Sequence, residues 1–231
     1  IIVFMPVSGG AGASTVAAAT AVALAGQGKR VLYLNMEDFG TSSCYFSGEG
    51  EGGLDSLILA MRMKNANIAA KLKSTVRRDG SGVFFVESSK NPNDILSLSA
   101  DNIESLLNMV VELKEYEHVV VDVSVDTNER TIAFLKLANR VYFVSNGTQV
   151  SNEKCKRLVE AMTLLEDRYD FHLPKATYLL YNSFHKSTGK QLEGVLPIAG
   201  GLPHYKVTDE RALVHQLAGH EFFARFLGGG E

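Results

Sequence analysis

The sequence is poor in cysteine and lacks both a long apolar segment and a strong charge of either sign. Cys44 and Cys155 have neither the spacing of a disulfide framework nor that of a metal site, which predicts two ordinary thiols in a reducing compartment. No stretch approaches the ~20 apolar residues that cross a bilayer, and no basic-then-apolar signal segment opens the chain. We therefore expect a soluble, cytoplasmic protein with no direct membrane insertion.

The charge balance is slightly acidic, with a formal net charge of −3 and an isoelectric point near 6.1. This excludes an overall basic surface for nucleic acid or an anionic membrane, so no nucleic-acid partner is expected. The six histidines show no metal-ligand spacing. The densest basic cluster is interpreted as a solvated helix face and comprises Lys64, Lys71, Lys73, Arg77 and Arg78.

Short apolar runs alternate with helical patterns along the chain. The runs are mostly Val, Ile, Leu and Tyr without polar alternation, which is typical of strands covered on both faces. With 45% hydrophobic residues in 231, residues 1–231 are predicted to form one α/β domain with a doubly wound, mainly parallel sheet. The predicted strands are 1–7, 31–36, 83–86, 119–123, 141–144 and 176–181, and the predicted helices are 13–27, 54–63, 67–78, 101–114, 128–138, 151–169 and 209–227.

Residues 8–15, Ser-Gly-Gly-Ala-Gly-Ala-Ser-Thr, form a pattern typical of a phosphate-binding loop between a strand and a helix. Its three glycines allow positive φ, so successive N–H groups can bind an anion without a charged side chain. Ala13 replaces the usual lysine, which predicts that binding survives while catalysis is weakened. A tight connection without a ligand is the alternative. The predicted nucleotide-binding residues here are Gly9, Gly10, Ala11, Gly12, Ala13, Ser14 and Thr15, with Ser14 also a ligand of Mg²⁺.

Acidic residues follow two predicted strands, where ligands bind in doubly wound sheets. Asp122 ends a hydrophobic run and is predicted to hold Mg²⁺ opposite Ser14; the alternative is an N-cap or turn aspartate. Glu37 follows the second strand and is the candidate catalytic residue, because a carboxylate there could orient an attacking water. Its alternative is a solvated loop acid.

Five segments together resemble the MinD/ParA family of deviant Walker ATPases. Residues 9–15 are similar to its GGxGKTT loop, 29–37 to its KRVLLIDLD segment and 118–122 to its Walker B strand. Residues 179–182 resemble its hydrophobic-Asn adenine motif, and 201–203 its loop that closes over the base. The resemblance implies a P-loop NTPase-like fold, a homodimer, ATP or ADP with Mg²⁺ as ligands, and base contacts from Asn182, Leu202 and Pro203.

The departures from the family pattern concern charge. Ser8 stands where the signature lysine of one subunit reaches the partner's nucleotide, and Ala13 replaces the ordinary Walker lysine. Asn35 and Glu37 stand in for the Asp-x-Asp pair. The resemblance then implies ATP binding with weak or no hydrolysis. The alternative is an active ATPase of cell-division positioning or DNA segregation, in which cations from Lys186 to Lys190 or from a partner's helix replace the lysines.

An eroded phosphate loop is a feature of one branch of this family, that of the TadZ and CpaE pilus-assembly localisation proteins. Resemblance to it implies a dimeric localisation or scaffold factor, recruited by pilus-assembly or secretion proteins to a cell pole or the membrane. The branch carries a receiver-like domain upstream, and the start at Ile1, inside a strand and without Met, predicts such a missing domain. The tail, 222–230, has aromatic residues and no lysine, which predicts a helix packed on the core.

Overall fold

A parallel sheet forms the centre of the computed structural model, which describes residues 1–63, 67–185 and 189–228. Within these residues the strands are β1 (Ile2–Pro6), β2 (Val31–Asn35), β3 (Val76–Arg78), β4 (Phe84–Val86), β5 (His118–Asp122), β6 (Arg140–Ser145), β7 (Thr177–Tyr181) and β8 (Ile198–Gly201). Their order is β3-β4-β2-β5-β1-β6-β7-β8, and every neighbouring pair is parallel except β3 and β4. The predicted α/β class with a doubly wound, mainly parallel sheet is confirmed.

Helices cover both faces of the sheet. They are α1 (Ala13–Gly26), α2 (Ser42–Tyr45), α3 (Leu54–Arg62), α4 (Ile68–Thr75), α5 (Pro92–Leu96), α6 (Ala100–Glu112), α7 (Glu129–Leu137), α8 (Gln149–Tyr169), α9 (Glu210–Ala218) and α10 (Glu221–Gly228). Side chains alternate along each strand, so β1 sends Val3 and Met5 to one core and Ile2 and Phe4 to the other. The first core lies under α3, α6, α7 and α8, and the second lies under α1, α9 and α10.

Helix α1 sits close to the sheet because its buried face is built from alanine and valine. Val16, Ala17 and Ala21 are fully buried, and the helix also packs against α9. Small side chains allow the helix axis to approach the strands, which fixes the position of its first turn at the carboxyl edge of β1. The fold therefore places the N-terminus of α1 beside the ends of β2 and β5.

The prediction of one helix over 67–78 was wrong for the last three residues. Helix α4 ends at Thr75, and Val76–Arg78 form β3, antiparallel to β4. Arg77 pairs with Glu87 (2.8 Å) and donates to the Gly52 carbonyl (2.8 Å), so it is no part of a solvated helix face. Lys64 lies outside the described residues.

The predicted helix over 209–227 is divided into α9 and α10, because Gly219 ends the first helix. Phe223 is buried against α1 and Phe222 packs beside it, as expected of a terminal helix packed on the core. Residues 229–230 of the predicted tail lie outside the described part. None of the helices in the described residues is both long and apolar enough to span a membrane.

Candidate functional site

The loop between β1 and α1 has the backbone geometry of an anion-binding turn. Gly10 and Gly12 have φ of 73° and 78°, and the first helical hydrogen bond runs from the Val16 N–H to the Gly12 carbonyl (3.1 Å). No side chain among the described residues caps this helix, so the N–H groups of its first turn face outward from the N-terminus. Backbone donors and the helix dipole therefore converge at one point, which suits a phosphate group.

Ala11, one of the predicted nucleotide-binding residues of this loop, differs from the others. The Ala11 N–H donates to the Ser8 carbonyl (3.2 Å), closing a turn within the loop. Its hydrogen bond is thus already made by protein, while the amides of Ala13, Ser14 and Thr15 open the helix. The backbone donors of the loop that could meet an anion lie at the start of α1.

A cavity of about 310 Å³ opens in front of the loop. Among the described residues that line it, Glu37 is the only charged side chain. Asp38, the neighbouring acid, turns away and pairs with Arg130 (3.0 Å). An anion here would meet backbone amides and neutral hydroxyls, with one carboxylate among the lining side chains. The lining comprises Pro6, Gly9, Gly10, Ala11, Gly12, Ala13, Ser14, Thr15, Glu37, Tyr45, Ser124 and Val125.

The fold brings Ser14 together with the acids that follow β2 and β5. The Ser14 hydroxyl donates to Glu37 Oε2 (3.1 Å), and Ser14 also lies beside Asp122. Asn35 Nδ2 donates to both carboxylates, at 3.3 Å to Glu37 Oε2 and 3.0 Å to Asp122 Oδ2. The three residues predicted for metal binding and catalysis thus share one site.

Asp122 is fully buried and only half of its carboxylate is satisfied. Oδ2 accepts hydrogen bonds from Tyr33 (3.2 Å) and Asn35, whereas Oδ1 has no partner among the described residues. Burial, and then the nearby Glu37 carboxylate, raise the pKa of Asp122 well above its ordinary value of 3.8. An orphaned carboxylate oxygen beside a hydroxyl is the kind of oxygen donor set that Mg²⁺ prefers, so the residues fit this ion.

Ser8, the first residue of the loop, is held against α8. Its hydroxyl lies 2.8 Å from the hydroxyl of Ser151, and both side chains are buried. The short side chain at position 8 therefore points into the protein. It links the phosphate loop to the N-terminal turn of the helix that follows β6.

The three residues predicted to contact a base have different environments. Asn182 is buried and its Nδ2 donates to the Ala11 carbonyl (3.0 Å), so its amide rests on the phosphate loop. Leu202 is buried in the core beneath α1, and Pro203 is exposed. Neither of these two lines the cavity in front of the loop.

Two tyrosines of the site, Tyr33 and Tyr45, carry no signal in the local sequence pattern, and Asn35 was recognised only as a stand-in for a family acid, without its contact to Asp122. Tyr33 and Asn35 lie two residues apart on β2, on the same face, and the register pairs Asn35 with Asp122. Knowledge of that register would have placed both beside the aspartate. Tyr45 lines the cavity from α2, a helix of four residues that is too short to show a periodic pattern.

Comparisons with known proteins identify the fold. No protein-family model and no curated protein sequence matches the chain. Its structure is similar to a ParA family ATPase from Chlorobium tepidum, with a TM-score of 0.75, 18% identity, and coverage of 99% of this chain and 92% of that one.

Two further similar structures broaden the comparison. The MinC:MinD cell division complex of Aquifex aeolicus gives a TM-score of 0.65 at 15% identity, covering 100% of this chain and 96% of that one. A cobyrinic acid a,c-diamide synthase from Mycobacterium smegmatis, with a bound ATP analogue and magnesium, gives 0.64 at 15% identity with the same coverages. At these identities the likeness concerns the fold, and the chain has the fold of the ParA and MinD ATPases.

Proposed function

We propose that this protein is a MinD/ParA-type ATP-binding protein that hydrolyses ATP weakly or not at all and acts as a dimeric localisation or scaffold factor. The observation that carries the proposal is a phosphate loop with intact backbone geometry whose cavity, over the described lining residues, contains no basic side chain. The absence of both family lysines from the sequence supports the finer assignment to Tad-type pilus assembly or secretion.

In the proposed complex, the amides of Ala13, Ser14 and Thr15 bind the phosphates, and Ser14 and Asp122 hold Mg²⁺. A bound Mg²⁺ neutralises phosphate charge, which no lining side chain of the described residues does. Glu37 lies within the cavity, but its Oε2 already accepts from Ser14 and Asn35. It therefore positions the metal-side hydroxyl as well as being the candidate to orient water.

Slow turnover follows from the missing charge. Removal of one preorganised group that stabilises developing charge costs about a hundredfold or more in rate. We expect equilibrium dialysis to show binding of ATP and ADP with Mg²⁺, and phosphate release far slower than in an Ala13→Lys variant, which should recover activity only in part because Ser8 also lacks its lysine. Absence of nucleotide binding at millimolar concentration would refute the proposal, and ordinary turnover by the unaltered chain would favour the active ATPase.

Dimerisation is expected to depend little on the γ-phosphate. A serine at position 8, bonded to Ser151 inside its own subunit, supplies no cation to a partner's nucleotide. We predict that sedimentation detects similar dimer fractions with ATP and with ADP, and that Ser8→Lys creates a preference for ATP. A dimer with ATP beside a monomer with ADP, in the unaltered protein, would show that another group senses the γ-phosphate.

A further inference from the structure

Tyr45 is the aromatic residue that lines the cavity in front of the phosphate loop. It is the last residue of α2, and its phenol lies close to the Thr15 side chain in the first turn of α1. This places a phenol next to the amides that open the helix. Tyr45 thus lies where a phosphate group bound to those amides would be within reach of its hydroxyl.

The short helix that carries Tyr45 is anchored at both ends. At its start, the Ser42 N–H donates to Ser88 Oγ (3.0 Å), while Ser42 Oγ accepts from the Ser88 N–H (2.7 Å). Arg211 donates to the carbonyl of Ser43 inside the helix (2.9 Å) and to that of Phe46, the residue after its end (3.2 Å). These four bonds hold the backbone in place, so the phenol is oriented before any ligand arrives, which lowers the entropic cost of using it.

The packing of the ring adds to this orientation. Tyr45 meets the edge of Phe46, with ring centroids 6.5 Å apart, and Phe46 is itself buried between Tyr33 and Phe85. The residue is half-buried and lines the cavity, with its phenol close to Thr15, another lining residue. The aromatic body therefore contributes packing, and the hydroxyl remains available for binding.

Two other side-chain hydroxyls of the cavity, those of Ser14 and Ser124, have protein partners among the described residues. Ser14 donates to Glu37, and Ser124 Oγ accepts from the Asp38 N–H (3.3 Å). Burial raises the pKa of Tyr45 to about 12, so the phenol keeps its proton at neutral pH. A protonated phenol is a neutral hydrogen-bond donor, and hydrogen bonds to a charged acceptor are the strong ones.

We propose that Tyr45 is a nucleotide-binding residue whose phenol donates a hydrogen bond to a phosphate oxygen, supplying with a neutral donor part of the stabilisation that the loop lacks at Ala13. The inference rests on the proposed nucleotide-binding function and adds a ligand contact from α2, outside the phosphate loop. It predicts that the phenol contributes to the binding of the phosphate groups and not to the binding of the base.

The test is Tyr45→Phe, which removes one oxygen and keeps the ring packed against Phe46. Calorimetry with the full chain, using Mg²⁺-ADP and Mg²⁺-pyrophosphate as the probes, should show affinity for both weakened by roughly tenfold. Tyr116→Phe is the matched control, because Tyr116 is also half-buried and lies just before β5. It is therefore at the amino end of that strand, away from the cavity at the carboxyl ends. It should bind both probes like the unaltered protein.

The outcomes separate this inference from the function on which it rests. If the unaltered protein binds neither probe, the proposed function fails and the inference falls with it. If the unaltered protein binds and Tyr45→Phe binds equally well, the inference alone is wrong. A melting temperature that falls together with affinity would assign Tyr45 a structural role and would also overturn it. In the Ala13→Lys background, Tyr45→Phe should weaken the affinity for both probes by a smaller factor, since the lysine then supplies the stabilising charge.

Discussion

Gly12→Ala is expected to abolish measurable nucleotide binding, a loss of about a hundredfold or more. Gly12 has φ of 78°, and a Cβ at this position would collide with the side-chain amide of Asn182. Either the loop or the Asn182 amide must then shift, which breaks the Asn182–Ala11 hydrogen bond, and the amides at the start of α1 lose their alignment. Hydrogen bonds to charged groups are worth about 1.5–3 kcal/mol each, so misalignment of two of them accounts for the expected loss.

Gly28→Ala is the matched control for this substitution. Gly28 follows the other end of α1, has almost the same φ of 79°, and has open space where its Cβ would lie. In both variants the left-handed conformation of the new alanine lowers the free energy of unfolding by about 1 kcal/mol or more. Only in Gly12→Ala does the new Cβ also collide with Asn182. Titration of each variant with Mg²⁺-ATP and thermal melting of each apo protein measure the two effects. Retained binding by Gly12→Ala would show that the phosphate loop does not hold the nucleotide.

The sequence alone predicted the features of this fold that depend on local pattern. Buried strands and amphipathic helices have periodicities that can be recognised within a single segment, and the glycines of the loop predict a turn before α1. The rule that ligands bind at the carboxyl ends of parallel strands correctly brought Glu37 and Asp122 to Ser14. Such predictions use the topology and need no knowledge of register.

The features that were missed depend on contacts between distant segments. Ser8 and Ser151 are 143 residues apart, and Asn35 and Asp122 are 87 apart, so no local window contains either pair. Strand β3 was predicted as the end of a helix because its residues extend a helical pattern, while antiparallel pairing with β4 decides their conformation. In each case tertiary pairing outweighed local propensity.

Asn182 illustrates the difference between a motif and its role. The family resemblance implied a contact with the base, and the structure places its amide on the Ala11 carbonyl. The same side chain occupies the space that makes glycine necessary at position 12.

Asp122→Asn is expected to stabilise the apo protein and to weaken nucleotide binding. Asp122 is fully buried, and burial together with Glu37 raises its pKa well above 3.8. A carboxyl whose pKa is raised by folding contributes stability that is present below 3.8 and is lost as the pH rises through the folded pKa. At pH values above that folded pKa the ionised carboxylate therefore opposes folding, and a neutral amide of the same shape removes the penalty.

The relief should exceed the loss of hydrogen bonds, because Tyr33 and Asn35 can still donate to the amide oxygen. Replacement of a buried charge that is only partly compensated by hydrogen bonds with a neutral group stabilises the fold by on the order of 1 kcal/mol or more. Each kcal/mol raises the melting temperature of a domain of this size by about 2–4 °C. Asp101→Asn is the control: Asp101 is an exposed acid in the first turn of α6, where its charge favours the helix dipole, so its replacement should lower the stability by about 0.3–1 kcal/mol instead of raising it.

The same substitution should reduce the dependence of binding on divalent cations. The unaltered protein is expected to bind ADP much more tightly with Mg²⁺ than with a chelator, because the described lining of the cavity offers no other positive charge to the phosphates. Even outer partners of a metal ligand are worth about 10–100-fold in metal affinity, so loss of the carboxylate should nearly erase this difference. Calorimetry with and without Mg²⁺ measures it. A variant that melts higher and loses the Mg²⁺ effect identifies Asp122 as a buried charge kept for the metal. One that melts lower, or keeps the full Mg²⁺ effect, shows that its carboxylate serves the fold instead.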